Sequence, residues 1–196
     1  DIFHAAQTHS LALFSYPGRN FYYPQVGEFH SLWAFLLAGG GDQAWRVTGI
    51  GLLWLSLTAG VAVRAACEAL SFRRCLPWIV PATMLTPLFM IQPLSGYVDG
   101  VFAALFLAAF AFAILAAVEG RFAHLGFCAV ASGLASGAKV SFIYYCLPIL
   151  LVLASAAAWR EVRTWDWKRV AARAALLLAL FSAGSGYWLG RNLVTT

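Results

Sequence analysis

Charge is what this sequence has least of. Asp, Glu, Lys and Arg make up 11% of its 196 residues, where an ordinary soluble domain carries about 25%. With 62% of the residues hydrophobic, a water-soluble fold would lack the polar side chains to cover its surface. Lipid is therefore the expected solvent for most of the chain. Patterned cysteine is lacking too. Cys67, Cys75, Cys128 and Cys146 show no CxxC or Cys/His metal spacing, and each lies in or beside an apolar segment. They read as small buried hydrophobes. The chain holds no P-loop, dinucleotide fingerprint, HExxH or nucleophile elbow, which removes the common nucleotide-dependent and soluble-hydrolase readings. It shows no internal repeat and no basic n-region leading into a cleavable signal. Its net charge of +5 is spread between apolar runs instead of along one face, so nucleic acid is not an expected partner.

What the sequence does have is long apolar runs. A helix that crosses the hydrocarbon needs about 20 such residues. Six candidates meet this approximately, at 46–70, 75–92, 98–118, 121–138, 140–158 and 170–190. The second contains Pro77, Pro81 and Pro87 and should be kinked or broken. In the fourth, "SGLASGAK" places Gly133 and Gly137 at the small-xxx-small spacing of close helix contact. Residues 1–27 are mixed polar and aromatic. "EFHSLWAFLLAGG" then supplies about 13 helix-prone residues, short for a span, ending at Gly39-Gly40-Gly41. This reads as an interfacial or re-entrant helix with Trp33, Tyr22 and Tyr23 at headgroup level. The expected fold is all-α: a polytopic membrane helix bundle of about six transmembrane helices at 46–196, preceded by an N-terminal extracytoplasmic segment at 1–45 with the interfacial helix. The chain begins at Asp1 and closes on "GRNLVTT" just after an apolar helix, and is expected to be part of a longer protein.

Six spans sort the basic residues. Arg64, Arg73, Arg74, Arg121, Arg160, Arg163, Lys168, Arg169 and Arg173 fall on one side, and Arg19, Arg46, Lys139 and Arg191 on the other. Nine against four assigns the first side to the cytoplasm. Asp99, in "QPLSGYVDGVFAALF", then opens the third span on the outer side, together with the N-terminal segment, Lys139 and Arg191.

Several of these residues carry potential chemistry. Asp1 and His4 are spaced i, i+3 and share a face if helical. With Glu28 and Asp99 they give three carboxylates and a histidine on one side, a set suited to a divalent cation or a general base. The plainer reading is equally available: Glu28 and Asp99 each open a helix, where the macrodipole favours a carboxylate. Lys139 and Arg191 suit an anionic phosphate, but from spacing alone snorkelling to the interface explains both. His9, His30 and His124 are weak signals, and His124 reads as structural.

The order of segments adds a resemblance. An acidic residue opens an extracytoplasmic stretch, followed by "YYPQVGE", a helix ending in "GGGD", a span, and a second carboxylate in "SGYVDGVFAALFLAAFAFAIL"; "GLASGAKVSFIYYCLP" and "GYWLGRNL" come later. This resembles the GT-C superfamily of integral-membrane glycosyltransferases, in the branch with protein O-mannosyltransferases and the lipid A aminoarabinose transferase. The resemblance covers nearly the whole chain. It implies an inverting transfer of sugar from a polyprenyl-phosphate donor to an acceptor hydroxyl on a glycan, lipid or protein, at the extracytoplasmic face of the cell inner membrane. By position it assigns Asp1 as catalytic base or metal-associated carboxylate, Glu28 as the acid opening the juxtamembrane helix, and Asp99 as the carboxylate of the second outer loop. Lys139 would face the lipid phosphate, and Arg191 would supply the basic position of an "RN" signature, with His4 beside Asp1 at the substrate. A divalent cation, Mg or Mn, on Asp1 and Asp99 is compatible with this reading. The rivals are a membrane transporter or lipid-handling protein without glycosyl transfer, and a purely structural membrane subunit.

Overall fold

The computed structural model describes residues 36–37, 39, 44–90, 99–139, 141–162 and 167–195, and no strand occurs among them. The element order is α1 (Ala44–Ala69), a 3-10 turn (Arg73–Cys75), α2 (Leu76–Met84), a helical turn over 87–90, α3 (Asp99–Glu119), α4 (Phe122–Ala138), α5 (Ser141–Tyr145), α6 (Leu147–Val162) and α7 (Trp167–Thr195). The described residues of each of the six apolar segments read from the sequence are largely helical. Among the described residues two helices, against the about six expected, are long and apolar enough to cross a membrane, Asp99–Glu119 and Trp167–Gly186, and Phe122–Ala138 is apolar but shorter. The 21 residues of α3 span about 31 Å, the thickness of a hydrocarbon core.

Proline sets the interruptions. In α2, Pro77 sits at the helix start and Pro81 lies inside; the helix stops at Met84, ahead of Pro87. Pro87 has no N–H to donate to the carbonyl of Thr83. That carbonyl instead accepts the Thr86 hydroxyl at 2.8 Å and the Thr86 N–H at 3.3 Å. The segment at 140–158 is likewise divided at Cys146, two residues before Pro148, and its second part runs on to Val162.

Three turns among the described residues use a left-handed residue. Gly120 (φ 70°) ends α3, with its N–H on the carbonyl of Ala116, and lets α4 begin two residues later. Ser71 (φ 65°) ends α1, where Ser71 N–H bonds Glu68 O and Phe72 N–H bonds Cys67 O, both at 2.9 Å. This is the paired-bond helix stop usually built on glycine. Gly39 (φ 83°) donates to Leu36 O at 3.0 Å, consistent with a helix stop there; the rest of the expected interfacial helix lies outside the described residues.

The helices pack as a row, α2 on α1, α1 on α3, α3 on α4 and α4 on α7, with α6 laid against α3. The α3–α4 seam is built from alanine. Ala109 and Ala113 of α3 and Ala135 of α4 are fully buried, with Ala131 beside them. Small side chains let the two backbones approach closely. The α4–α7 seam is tighter still. A Cβ on Gly133 would lie 2.1 Å from the carbonyl oxygen of Phe181, and one on Gly184 would lie 2.6 Å from the backbone nitrogen of Leu134. Near the other end of the same seam, the Arg173 guanidinium lies 4.6 Å from the centre of the Phe122 ring. Gly133 thus meets Gly184 in the later half of each helix, and Phe122 meets Arg173 near their starts, so α4 and α7 run parallel. Phe142 of α5, completely buried, closes the core against α3.

Of the four cysteines, Cys128 is buried, Cys67 and Cys146 are partly buried, and Cys75 is exposed. Cys75 departs from the buried role expected of it because it belongs to the Arg73–Cys75 turn outside the α-helices. All four are free thiols.

Candidate functional site

The short turn at Gly120 and Arg121 folds α4 back along α3, so the start of α3 and the end of α4 meet at one end of the hairpin. Asp99 occupies the first turn of α3. Lys139 is the C-terminal cap of α4, extended in backbone (φ −153°, ψ 119°), with its N–H on the carbonyl of Ala135. Lys139 Nζ donates to Asp99 Oδ1 at 2.5 Å. Each charge sits at the helix end whose dipole favours it, the carboxylate at an N-terminus and the ammonium at a C-terminus. The side chains keep 42% and 33% of their surface exposed, for Asp99 and Lys139 respectively. The pair is therefore accessible, and its stabilisation belongs near the surface-pair value of about 1 kcal/mol or less.

An aromatic floor lies under the pair. Lys139 Nζ stands 5.9 Å from the ring centre of Phe102, one helical turn after Asp99. Phe102 meets Phe142 edge to face at 6.2 Å, and Phe106 meets Phe142 at 6.3 Å. Because Phe142 is fully buried, the stack fixes the Phe102 ring and through it one side of the ammonium. A cation over an aromatic face gains about 0.5–1 kcal/mol at exposed sites. An ammonium has three donors, so Lys139 can hold Asp99 and still offer N–H to an approaching anion.

The sequence placed Asp99 and Lys139 on one side of the membrane, and the structure brings them into contact. Lys139 folds onto Asp99 rather than extending alone to an interface. Asp1, His4 and Glu28, with His9 and His30, lie outside the described residues. Arg191 lies in α7, in a stretch whose side chains are not described. Phe102 and Phe142 carry no chemistry of their own, and sequence reasoning missed them, although each stands three residues after a charged member of the pair. Among the described residues no group of three His, Cys, Asp or Glu side chains could hold a metal ion. Asp99 is the sole carboxylate described at this point and carries a cation already, so the described residues do not by themselves fit a divalent ion.

At the opposite end of the hairpin His124 Nε2 lies 3.0 Å from Glu119 Oε2, and the ring stacks on Phe112 at 6.3 Å. His124 Nδ1 is buried without a partner. The arrangement favours the tautomer with hydrogen on Nε2, donating to Glu119, and matches the structural role expected of this histidine.

No family model, curated protein or solved structure matches the chain.

Proposed function

We propose that this chain is the membrane-embedded part of an inverting glycosyltransferase that moves a sugar from a polyprenyl-phosphate donor to an acceptor hydroxyl. The single observation that supports the reading is the accessible Asp99–Lys139 pair on its phenylalanine floor. In the proposal the helices form a bundle of about six spans in the cell inner membrane, and the pair faces the extracytoplasmic side. Lys139, oriented by Asp99 and Phe102, binds the donor phosphate. The acceptor oxygen attacks the anomeric carbon, the bond from that carbon to the phosphate oxygen breaks, and its electron pair leaves on the lipid phosphate. The acceptor proton passes to a carboxylate, for which the resemblance nominates Asp1, with Glu28 and His4 nearby and Arg191 as a second cation. Fixed positive charge where negative charge develops is the main requirement of such a step. A preset ammonium meets it without reorganisation.

The test is transfer from a labelled polyprenyl-phosphate sugar by the full-length protein in membranes. Lys139→Met is expected to reduce turnover about 100-fold at unchanged protein level, with Lys139→Arg retaining part of it. Asp1→Asn is expected to abolish transfer. Wild-type turnover in Lys139→Met would remove the pair from the chemistry. The rival, a lipid-handling protein without transfer, predicts bound lipid and no glycosylated product from the wild type.

A further inference from the structure

Away from the ion pair, a cleft of about 300 Å³ lies between α4, α6 and α7. Its floor is Cys128 and Ser132 of α4; its walls are Leu150 and Ala154 of α6 and Leu177 and Phe181 of α7. The packing explains why it exists. Glycine brings α7 onto α4 at backbone contact, whereas α6 lies against α3. Among the described residues α6 and α7 have no substantial contact with each other, so a slot remains between them. Leu151 and Leu178 line the cleft and are more than half exposed, which puts them at its mouth.

We infer that this cleft holds an acyl chain of a resident membrane phospholipid. Water is a poor occupant, because a bound water needs two to four polar partners. The floor offers a thiol and a hydroxyl only 4.0 Å apart, and the walls named above are hydrocarbon. A packed helix is too large, since helices with side chains are about 10–12 Å across. At about 300 Å³ the cleft is many times the roughly 10–15 Å³ that a single water needs, which leaves room for a stretch of acyl chain. The supply is local. The wall helix α7 contains one of the two candidate spans, and its outward Leu176 and Leu178 are exposed. In a membrane the mouth therefore opens into acyl chains. The floor residues precede Lys139 on α4 by two to three helical turns, about 10–16 Å along the helix. The chain is thus a filler between α6 and α7, distinct from any donor bound at the ion pair. The inference rests on the membrane placement of α7 and not on glycosyl transfer.

The test reconstitutes the full-length protein in phosphatidylcholine vesicles containing a phosphatidylcholine with a diazirine in its acyl chain. After illumination, labelled peptides are mapped. The expected result is labelling of the cleft positions on α4, α6 and α7 several-fold above that of the exposed Leu53 and Trp54 on α1. Ala154→Phe, which fills the cleft, should reduce cleft labelling to the α1 level and leave α1 labelling unchanged. Ala129→Phe, from a second lining position, serves if the first variant fails to fold. Cleft labelling no stronger than α1 in the wild type, or unchanged by filling, overturns the inference. So does a covalent link between two copies through the cleft. Absence of label on α1 and α7 alike overturns the membrane placement with it, whereas loss of sugar transfer has no bearing on the outcome.

Discussion

At the scale of single residues, the pair at the open end of the hairpin has two separable roles, and a charge exchange distinguishes them. If Asp99 and Lys139 serve only to join two helix ends, Asp99→Lys combined with Lys139→Asp restores an attraction but turns both charges against their helix dipoles. Thermal unfolding of the exchanged protein is expected to fall within about 1 kcal/mol of wild type, while the proposed sugar transfer is expected to be lost. Recovery of transfer in the exchanged protein would show that pairing, and not the position of the cation, is what matters. Ser71 offers a simpler forecast. A serine held at φ 65° carries a steric penalty that glycine lacks. Ser71→Gly is expected to raise stability by about 1 kcal/mol, read as an increase in unfolding temperature in detergent. The sequence disclosed Asp99 as a helix opener but gave Lys139 no partner, because positions so far apart in the chain share no periodic signal. The missing link is the turn. Gly120 falls almost midway between Asp99 and Lys139, so a hairpin folded at that glycine makes them neighbours. Asp1, His4 and Glu28 gain nothing from such reasoning, since no comparable turn relates them to the rest.

At the scale of the elements, proline and glycine decide where helices stop and how near they come. Thr86 compensates for the donor that Pro87 lacks. Thr86→Val keeps the shape and removes the hydroxyl bond to Thr83, and is expected to destabilise by about 1 kcal/mol, measured by thermal unfolding. The α4–α7 seam is less forgiving. A methyl on Gly133 meets backbone, not a flexible side-chain end, so Gly133→Ala is expected to cost about 2 kcal/mol or more through helix separation. Gly120→Ala, whose added Cβ meets no neighbouring atom, should cost only its left-handed penalty of about 1 kcal/mol. Unfolding of the two variants side by side checks the order. The break within the second segment was legible because three prolines fall in one run. The division at Cys146 was not, since Pro148 alone gives a weaker signal. The spacing of Gly133 and Gly137 announced a close contact but could not name the partner. Gly184 lies beyond α5 and α6 in the chain, and its own surroundings, "FSAGSGYW", resemble any small-residue stretch.

For the molecule as a whole, the helices fix which loops share an end. Cys75 is exposed beside Arg73 and Arg74, on the side the charge count gives to the cytoplasm. Tyr144 is exposed in α5, near Lys139 and the opposite end. With the other cysteines replaced, a membrane-impermeant maleimide is expected to label Cys75 only from the cytoplasmic side. Tyr144→Cys, in a background also lacking Cys75, should label only from outside. Labelling of both from one side contradicts the proposed sidedness. The all-helical class, the helix positions and the placing of Asp99 and Lys139 at the same end of the helices were accessible from composition and spacing, but their pairing was not. The lateral order of the helices was not, because uniformly apolar surfaces carry little information about which neighbour each selects.

The parallel seam between α4 and α7 also bears on biogenesis. Its two halves are separated in the chain by α5 and the whole of α6, so a growing chain completes α4 well before Gly184 exists. During that interval the Gly133 surface has no proper neighbour, and the helix is steadied chiefly by α3, with the short α5 beside it. Non-local contacts of this kind close late. A nascent chain stalled before Gly184 is therefore expected to crosslink to lipid from a photoreactive side chain placed on the Gly133 face of α4, and one stalled beyond the whole of α7 to lose that crosslink. The glycine that permits the tightest contact in the finished protein leaves its least protected surface during synthesis.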